Sequence, residues 1–419
     1  MIDNPEYIFQ IKKQFNDMNS KVDFLNLLNL TKEALYPNNS FPFSEKQLNF
    51  YITQQRESRK KNYHSFTIKK KSGAFRVITA PVKGLKQFQI ILNNVFQVVY
   101  EPHPAATGFV LGKSVVDNAS SHIGRNYVYN IDLKDFFPSI DASRVWGRLL
   151  SPPFNLGASD EKRKIANMIK TICCTNIEVE RFSPKGWQKE IKNVLPQGAP
   201  TSPILSNAVS DKLDRRLSGV AKRFGLNYTR YADDITFSSM HNWFKSSVGI
   251  NEPVFKKDSS FDKEVRKIID GQNFHINEKK VRLQKRGYRQ EVTGLTVNEK
   301  PNVPRRYIKQ LRQWIYFCET YGPEKAYGLF KEKYKKEKGY IKKRKMPNLE
   351  NVLEGKLLYL KMVKGEADPT FLKLYSRFKK LEFPVFKSRF DLDMPESDIV
   401  DLIHILGLDK AMELYEMEK

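Results

Sequence analysis

Three cysteines, Cys173, Cys174 and Cys318, are all that the 419 residues carry, so no disulfide framework and no zinc-ligand arithmetic is available. A reducing, cytoplasmic setting fits that scarcity. The six histidines are scattered and form no close ligand cluster. No apolar run reaches the roughly 18 to 20 residues of a membrane span, and Met1 to Glu6 lack the cationic start and apolar core of a secretory signal. No membrane partner is expected. Internal repeats, a Cys-His nuclease module, a histidine nuclease pair and a separate ATP-binding loop are likewise missing. Acid is short too: 72 Lys plus Arg stand against 47 Asp plus Glu, a formal charge of +25 with pI near 9.7. That excess needs a polyanion or a highly solvated surface, and nucleic acid leads among the polyanions.

Among the few acids, two sit side by side where strand formers dominate. In Asn227 to Phe237 the Tyr, Thr, Ile and Phe residues favour a pleated strand and Asp does not, so Ala232 to Asp234 reads as the tight turn of a hairpin. Such a turn lifts Asp233 clear of the sheet, although adjacent acids taken alone favour an ordinary solvated turn. About 100 residues earlier, Tyr127 to Leu133 reads as a mostly apolar strand with Asp132 near its end, before a helix beginning near Asp141. Carboxylates on neighbouring strand ends suit shared divalent ions, as in two-metal nucleotidyl transfer, where the metals stand about 3.5 to 4 Å apart. Hard oxygen ligands prefer Mg2+, with Mn2+ the alternative.

The rest of the chain supplies basic and turn-rich stretches around these acids. Residues 1–52 read as short helices, a packing cap or a substrate-contacting extension. Tyr63 to Pro81 reads as a hairpin around Lys71-Ser72-Gly73, from which Arg76 either crosses toward a phosphate or stays a solvated loop charge. A buried helix follows over 85–100. Asn118 and His122, in Asn118-Ala119-Ser120-Ser121-His122, read by default as structural hydrogen-bonding groups. A long amphipathic helix is expected around Lys162 to Cys174, its cysteines packed. In Leu195-Pro196-Gln197-Gly198 the glycine gives backbone freedom, and Ser202-Pro203 opens a helix. Exposed amides and Gln197 could face a nucleotide there. Residues 239–260 read as a loop, 261–270 as a helix, and Gln290 to Asn298 as a strand and turn. Lys300, Arg305, Arg306, Lys309 and Arg312 punctuate a helix able to follow a sugar-phosphate backbone. Residues 331–345 hold nine Lys or Arg, Lys342, Lys343, Arg344 and Lys345 among them, with Tyr334 and Tyr340 interleaved. Residues 382–419 reverse the balance, with ten acidic and four basic side chains, and read as a packing tail.

Taken in order, these motifs resemble those of reverse transcriptases. Tyr231-Ala232-Asp233-Asp234 matches the Tyr-x-Asp-Asp motif, Asp132 through Phe137 the preceding carboxylate motif, and Leu195 to Gly198 with Ser202-Pro203 the nucleotide-side loop and helix. The resemblance covers roughly residues 64–320. Within the family it runs to bacterial retron enzymes, through the Asn-Ala-x-x-His element at Asn118 to His122 and the Val-Thr-Gly element at Val292, Thr293 and Gly294.

The resemblance implies an α+β right-hand polymerase with fingers, a ferredoxin-like antiparallel palm and a predominantly helical thumb. Its expected boundaries are an N-terminal helical extension (1–52), fingers (53–125 and 151–207), palm (126–150 and 208–298), thumb with the basic RNA-binding region (299–375) and a C-terminal extension (376–419). It implies that Asp132 and Asp233 bind two Mg2+ ions with Asp234 in support, and that Lys279 helps protonate pyrophosphate. Phe137 would gate against a ribose 2'-hydroxyl, Gln197 would lie beside the incoming deoxynucleoside triphosphate, and Arg76 would meet its phosphates. Asn118, His122 and the Val292 to Gly294 element would serve retron-specific architecture or RNA recognition. The implied partners are a cognate structured noncoding RNA, the single-stranded DNA product, the RNA-DNA hybrid and a separate effector protein, in antiphage defence. The implied priming group is an internal RNA 2'-hydroxyl. A group II intron-like or other defence-associated reverse transcriptase, and a non-catalytic RNA-binding scaffold, are the alternatives.

Overall fold

A computed structural model of the chain describes residues 2, 4–37, 41–53, 62–69, 73, 75–184, 186–245, 251–338 and 347–383. The chain divides into two compact units, Met1–Pro304 and Arg305–Lys419. The first opens with three helices, α1 (Pro5–Asp17), α2 (Lys21–Leu35) and α3 (Glu45–Ile52). Their starts are written locally: Asn4 caps α1, and Ser20 with Asp23 and Ser44 with Gln47 form reciprocal capping boxes. The hairpin of β1 (Tyr63–Lys69) and β2 (Phe75–Pro81) follows, then α4 (Lys83–Val99) and the short α5 (Val115–Ser120).

The central sheet is assembled from β3 (Tyr127–Asp132), then, after α6 (Ala142–Leu150), α7 (Asp160–Cys173), the hairpin β4 (Thr175–Ser183) and β5 (Gly186–Val194), and α8 (Ser202–Arg223), from β6 (Asn227–Tyr231) and β7 (Asp234–Ser239). A small ribbon of β8 (Trp243–Lys245) and β9 (Asn251–Pro253) leads to α9 (Ser260–Asp270), and the last sheet strand is β10 (Arg282–Lys285). The spatial order is β10-β3-β7-β6, every neighbour antiparallel. By chain order that is 4-1-3-2, the strand order of a split β-α-β arrangement. The hairpin β11 (Glu291–Val292) and β12 (Leu295–Thr296) closes the unit.

Strand alternation gives this sheet two unlike faces. Tyr129, Ile131, Ile235, Phe237 and Tyr228 point one way, where Phe237 packs edge-on to Phe261 of α9 at 5.1 Å and beside Tyr228 at 5.1 Å. Burying a ring such as Phe237 completely is worth about 1.5 to 3 kcal/mol. Asn130, Asp132, Asp234, Thr236, Ser238 and Thr229 point the other way, so the polar residues are stacked by the same register that builds the core.

The second unit contains α10 (Arg305–Tyr321), α11 (Pro323–Lys338), α12 (Leu349–Lys364) and α13 (Pro369–Lys379). Leu311, Trp314, Ile315, Leu353, Leu357, Leu360, Phe371 and Leu374 are buried in it. No helix among the described residues is long and apolar enough to cross a membrane. Lys342, Lys343, Arg344, Lys345 and residues 384–419 lie outside the described residues.

Candidate active site

The two acids of the hairpin do not share the turn as the sequence suggests. Tyr231 pairs with Asp234, so the turn proper is Ala232-Asp233, and Asp234 already begins β7. Ala232 has φ of 56°, a left-handed conformation that costs a side-chain-bearing residue about 1 to 2 kcal/mol. Asp132, at the end of β3, is the direct cross-strand partner of Asp234, so both carboxylates stand on the polar face. The carbonyl of Asp233 accepts from Leu133 N at 3.0 Å, which ties the turn to the residue after Asp132.

Burial, reinforced by crowding of like charge, sets the electrostatics here. Burial first, then the Asp132 charge, holds the Asp233 carboxyl above its ordinary range, with Lys280 and Arg76 opposing the rise. Burial, then Asp233 and Asp132, pushes Asp234 up to about 6. The Asp234 side chain also reaches solvent, so water screens part of this effect and its upward direction is what matters. Among the described residues no three His, Cys, Asp or Glu side chains are grouped as a ready metal cage. The donor set nevertheless suits a hard divalent cation: carboxylate oxygens on one sheet face, carrying mutual repulsion that a cation would relieve.

Two groups hold Asp132, and the first of them, Asn277, escaped the sequence reading. Asn277 donates from its backbone to the Asp132 carbonyl at 2.8 Å and from Nδ2 to Oδ2 at 3.2 Å. Lys280 Nζ lies 2.6 Å from Asp132 Oδ1, on the 3-10 turn Glu278–Lys280. Of the adjacent lysines it is therefore Lys280, not Lys279, that the structure brings to the carboxylates; Lys279 is exposed on the same turn.

Phe137 follows Asp132 through a turn and is half-buried beside Phe109, ring centroids 5.9 Å apart. The Gln197 carbonyl accepts from Thr79 N at 2.8 Å, which joins the 195–203 loop to β2, three residues along from the exposed Arg76. Gly198 is required at that junction: its φ is 132°, and a Cβ would fall 2.8 Å from Ile78 Cγ2 and 2.9 Å from the Thr79 carbonyl.

The elements at Asn118 to His122 and at Val292 to Gly294 meet in one buried network. Asn118 and His122 are both fully buried. Thr229 Oγ1 donates to Asn118 Oδ1 at 2.7 Å, so it accepts from His122 Nε2 at 2.8 Å, and His122 Nδ1 accepts from Ser238 at 2.7 Å. Asn118 Nδ2 reaches Thr293 Oγ1 at 3.3 Å. Thr293 and Gly294 take φ of 47° and 83° in the β11–β12 turn, and Val292 is buried. Burial, with the Arg125 charge adding, pushes the His122 ring down to about 3, so it is neutral here. These side chains brace Thr229 on β6, the strand that runs into Tyr231 and the turn. Arg305, Arg306 and Arg312 are exposed on α10 of the second unit.

A family model described as "Reverse transcriptase (RNA-dependent DNA polymerase)" matches residues 68–296, more than half of the chain. The chain belongs to the reverse transcriptase family, and its similarity within that family is to retron enzymes. It is 37% identical over 270 residues to the Retron Mx162 reverse transcriptase of Myxococcus xanthus, covering 61% of this chain and 52% of that protein. It is 34% identical over 272 residues to the Retron Mx65 reverse transcriptase of the same organism, covering 64% and 59%. With the Retron Ec86 reverse transcriptase of Escherichia coli the identity is 35% over 262 residues, covering 61% and 70%. The chain thus spans between half and three-fifths of the length of the two Myxococcus relatives.

Proposed function

We propose that the chain is a retron-type RNA-directed DNA polymerase that copies a cognate structured noncoding RNA into single-stranded DNA. The observation that carries this reading is the pairing of Asp132 with Asp234 across β3 and β7, with Asp233 on the adjoining turn, inside the span matched by the family model. In this reading β3, β6, β7 and β10 form the palm, the β1–β2 hairpin and the 195–203 loop belong to the fingers, and residues 299–375 serve as the thumb.

Asp132, Asp233 and Asp234 would hold two Mg2+ ions, with Mn2+ the alternative. The chemistry such ions would supply is activation of a terminal hydroxyl and neutralisation of charge on the triphosphate. The protein's own part is placement. Arg76 meets the phosphates of the incoming deoxynucleotide, Gln197 lies beside it, and the half-buried Phe137 ring occupies the space a ribose 2'-hydroxyl would need. Lys280, with Lys279 next to it, supplies the proton for departing pyrophosphate. Priming from an internal RNA 2'-hydroxyl, retention of an RNA-DNA hybrid, and a role in antiphage defence with a separate effector protein complete the proposal.

Primer extension on an RNA template with Mg2+ and deoxynucleotides tests the chemistry: wild type extends, and the double substitution D233A/D234A does not. Equal extension by the two removes the assignment. Sequencing nucleic acid that copurifies with active protein tests the retron part. A defined RNA joined to DNA is expected, and a random RNA population counts against it.

A further inference from the structure

On the helix-packed face of the sheet, directly behind the turn that carries Asp233, lies a buried charge that no step of the chemistry uses. Arg230 on β6 is fully buried, as is Asp214 on α8. Arg230 Nε donates to Asp214 Oδ1 at 2.8 Å, and Nη2 donates to Asp214 Oδ2 at 2.6 Å and to Asn207 Oδ1 at 3.1 Å. Its Nη1 reaches past the strand to the carbonyl of Ala232 at 3.0 Å. Tyr228 adds its hydroxyl to Asp214 Oδ1 at 2.8 Å, and Asn207 Nδ2 donates to the Gly108 carbonyl at 2.9 Å. The backbone of Arg230 is gripped from the edge as well, its N donating to Ala105 O at 2.8 Å and its carbonyl accepting from Thr107 N at 2.9 Å. Gly108 lies so near that a Cβ there would stand 2.7 Å from Ala232 N.

Fold stability alone does not call for this arrangement. A buried ion pair can be exchanged for apolar side chains of similar volume without loss, because desolvation offsets the Coulomb attraction. An apolar side chain has no donor for Ala232, whose left-handed backbone turns its carbonyl inward. The guanidinium fork can satisfy Asp214 and still spare Nη1; an ammonium has no second nitrogen at that distance. We infer that Arg230, aimed by Asp214 and Asn207, is a positioning residue that fixes the Ala232-Asp233 turn and so sets where the Asp233 carboxylate stands relative to Asp132. This rests on the polymerase reading for its catalytic consequence, while the hold on the turn is independent of it.

The test uses the full chain and the triple substitution R230M/D214L/Y228F, which removes both charges and the phenol that leans on them. Hydrogen exchange of the Tyr231 to Asp234 amides, thermal melting, and kcat and KM for single-deoxynucleotide extension are compared with wild type and D233A. The expected result is a melting temperature within a few degrees of wild type, turn amides exchanging at least tenfold faster, and kcat reduced at least tenfold with KM within twofold. Turn exchange or kcat at wild-type values in the folded triple variant overturns the inference, as does faster exchange spread evenly over the chain. R230K, which keeps a cation opposite Asp214 but loses the Nη1 donor, decides the matter if the triple variant fails to fold. It should show the same local exchange and a reduced kcat, and wild-type values for either overturn the inference. If D233A extends as well as wild type, the polymerase reading falls, and the exchange measurement alone judges the hold on the turn.

Discussion

At the scale of single residues, the network through His122 makes a measurable demand on pH. Its ring stays neutral in the fold because burial and Arg125 push it down to about 3, whereas an unfolded histidine titrates near 6.5. The unfolded chain therefore takes up a proton that the fold refuses, and stability is lost as pH falls through 6.5 toward 3. From this ring the loss should reach about 1.4 kcal/mol at pH 5.5 relative to pH 7.5. H122Q should be less stable than wild type at pH 7.5 by about 1 to 3 kcal/mol, because Thr229 and Ser238 lose partners, and the gap should narrow by pH 5.5. Urea unfolding at both pH values measures it, and an unchanged gap rejects the neutral, buried ring. The adjacent lysines make a second contrast. With Lys280 on Asp132 and Lys279 exposed beside it, K280A should slow single-turnover incorporation by about 100-fold or more and K279A by only a few fold. The reverse order would restore Lys279 to the proton-donating role.

Whole elements carry the next constraint, because the 195–203 loop is held to β2 by one backbone hydrogen bond and one glycine. G198A places a methyl group against Ile78 and the Thr79 carbonyl at a φ that only glycine adopts freely, so it should cost about 1 to 3 kcal/mol. By loosening Gln197 it should raise KM for deoxynucleotide more than it lowers kcat. A variant with wild-type KM would separate this loop from the nucleotide. The same elements show what the sequence makes legible. The β6–β7 hairpin could be read because strand formers flank a pair of acids, and α8 because Ser202-Pro203 opens it. The β4–β5 hairpin went unread although Ile177 and Val179 alternate with Glu178 and Glu180, a pattern that signals a strand only once those charged positions face solvent. β10, four residues with two cations, carries almost no signal of its own and exists because Asn130 and its neighbours pair with it. Asn277, Arg230 and Asp214 were invisible for another reason. Each acquires its role from a partner made close only by folding, as Asn277 does from Asp132 across 145 residues.

For the molecule as a whole, the surplus of 25 positive charges is the property most open to a quantitative test. Arg305, Lys309 and Arg312 fall at intervals of four and three on α10, so they project from one side of that helix, and all three are exposed, as is Arg306. If that side neutralises RNA phosphates, each phosphate left without its cation should make the plot of log affinity against log salt shallower by about 0.7 to 0.9. The triple variant R305Q/K309Q/R312Q should then bind the copurified RNA more weakly at low salt, with a slope reduced by about 2 to 3, and the difference from wild type should shrink as salt rises. A loss caused by unfolding would instead persist at every salt concentration, so the series separates the two causes. Neutralising Lys342, Lys343, Arg344 and Lys345 together puts the same question to the second basic stretch. Unchanged affinity and slope in either set removes that set from the RNA interface and moves the search for phosphate-binding cations to the basic residues of Met1–Pro304.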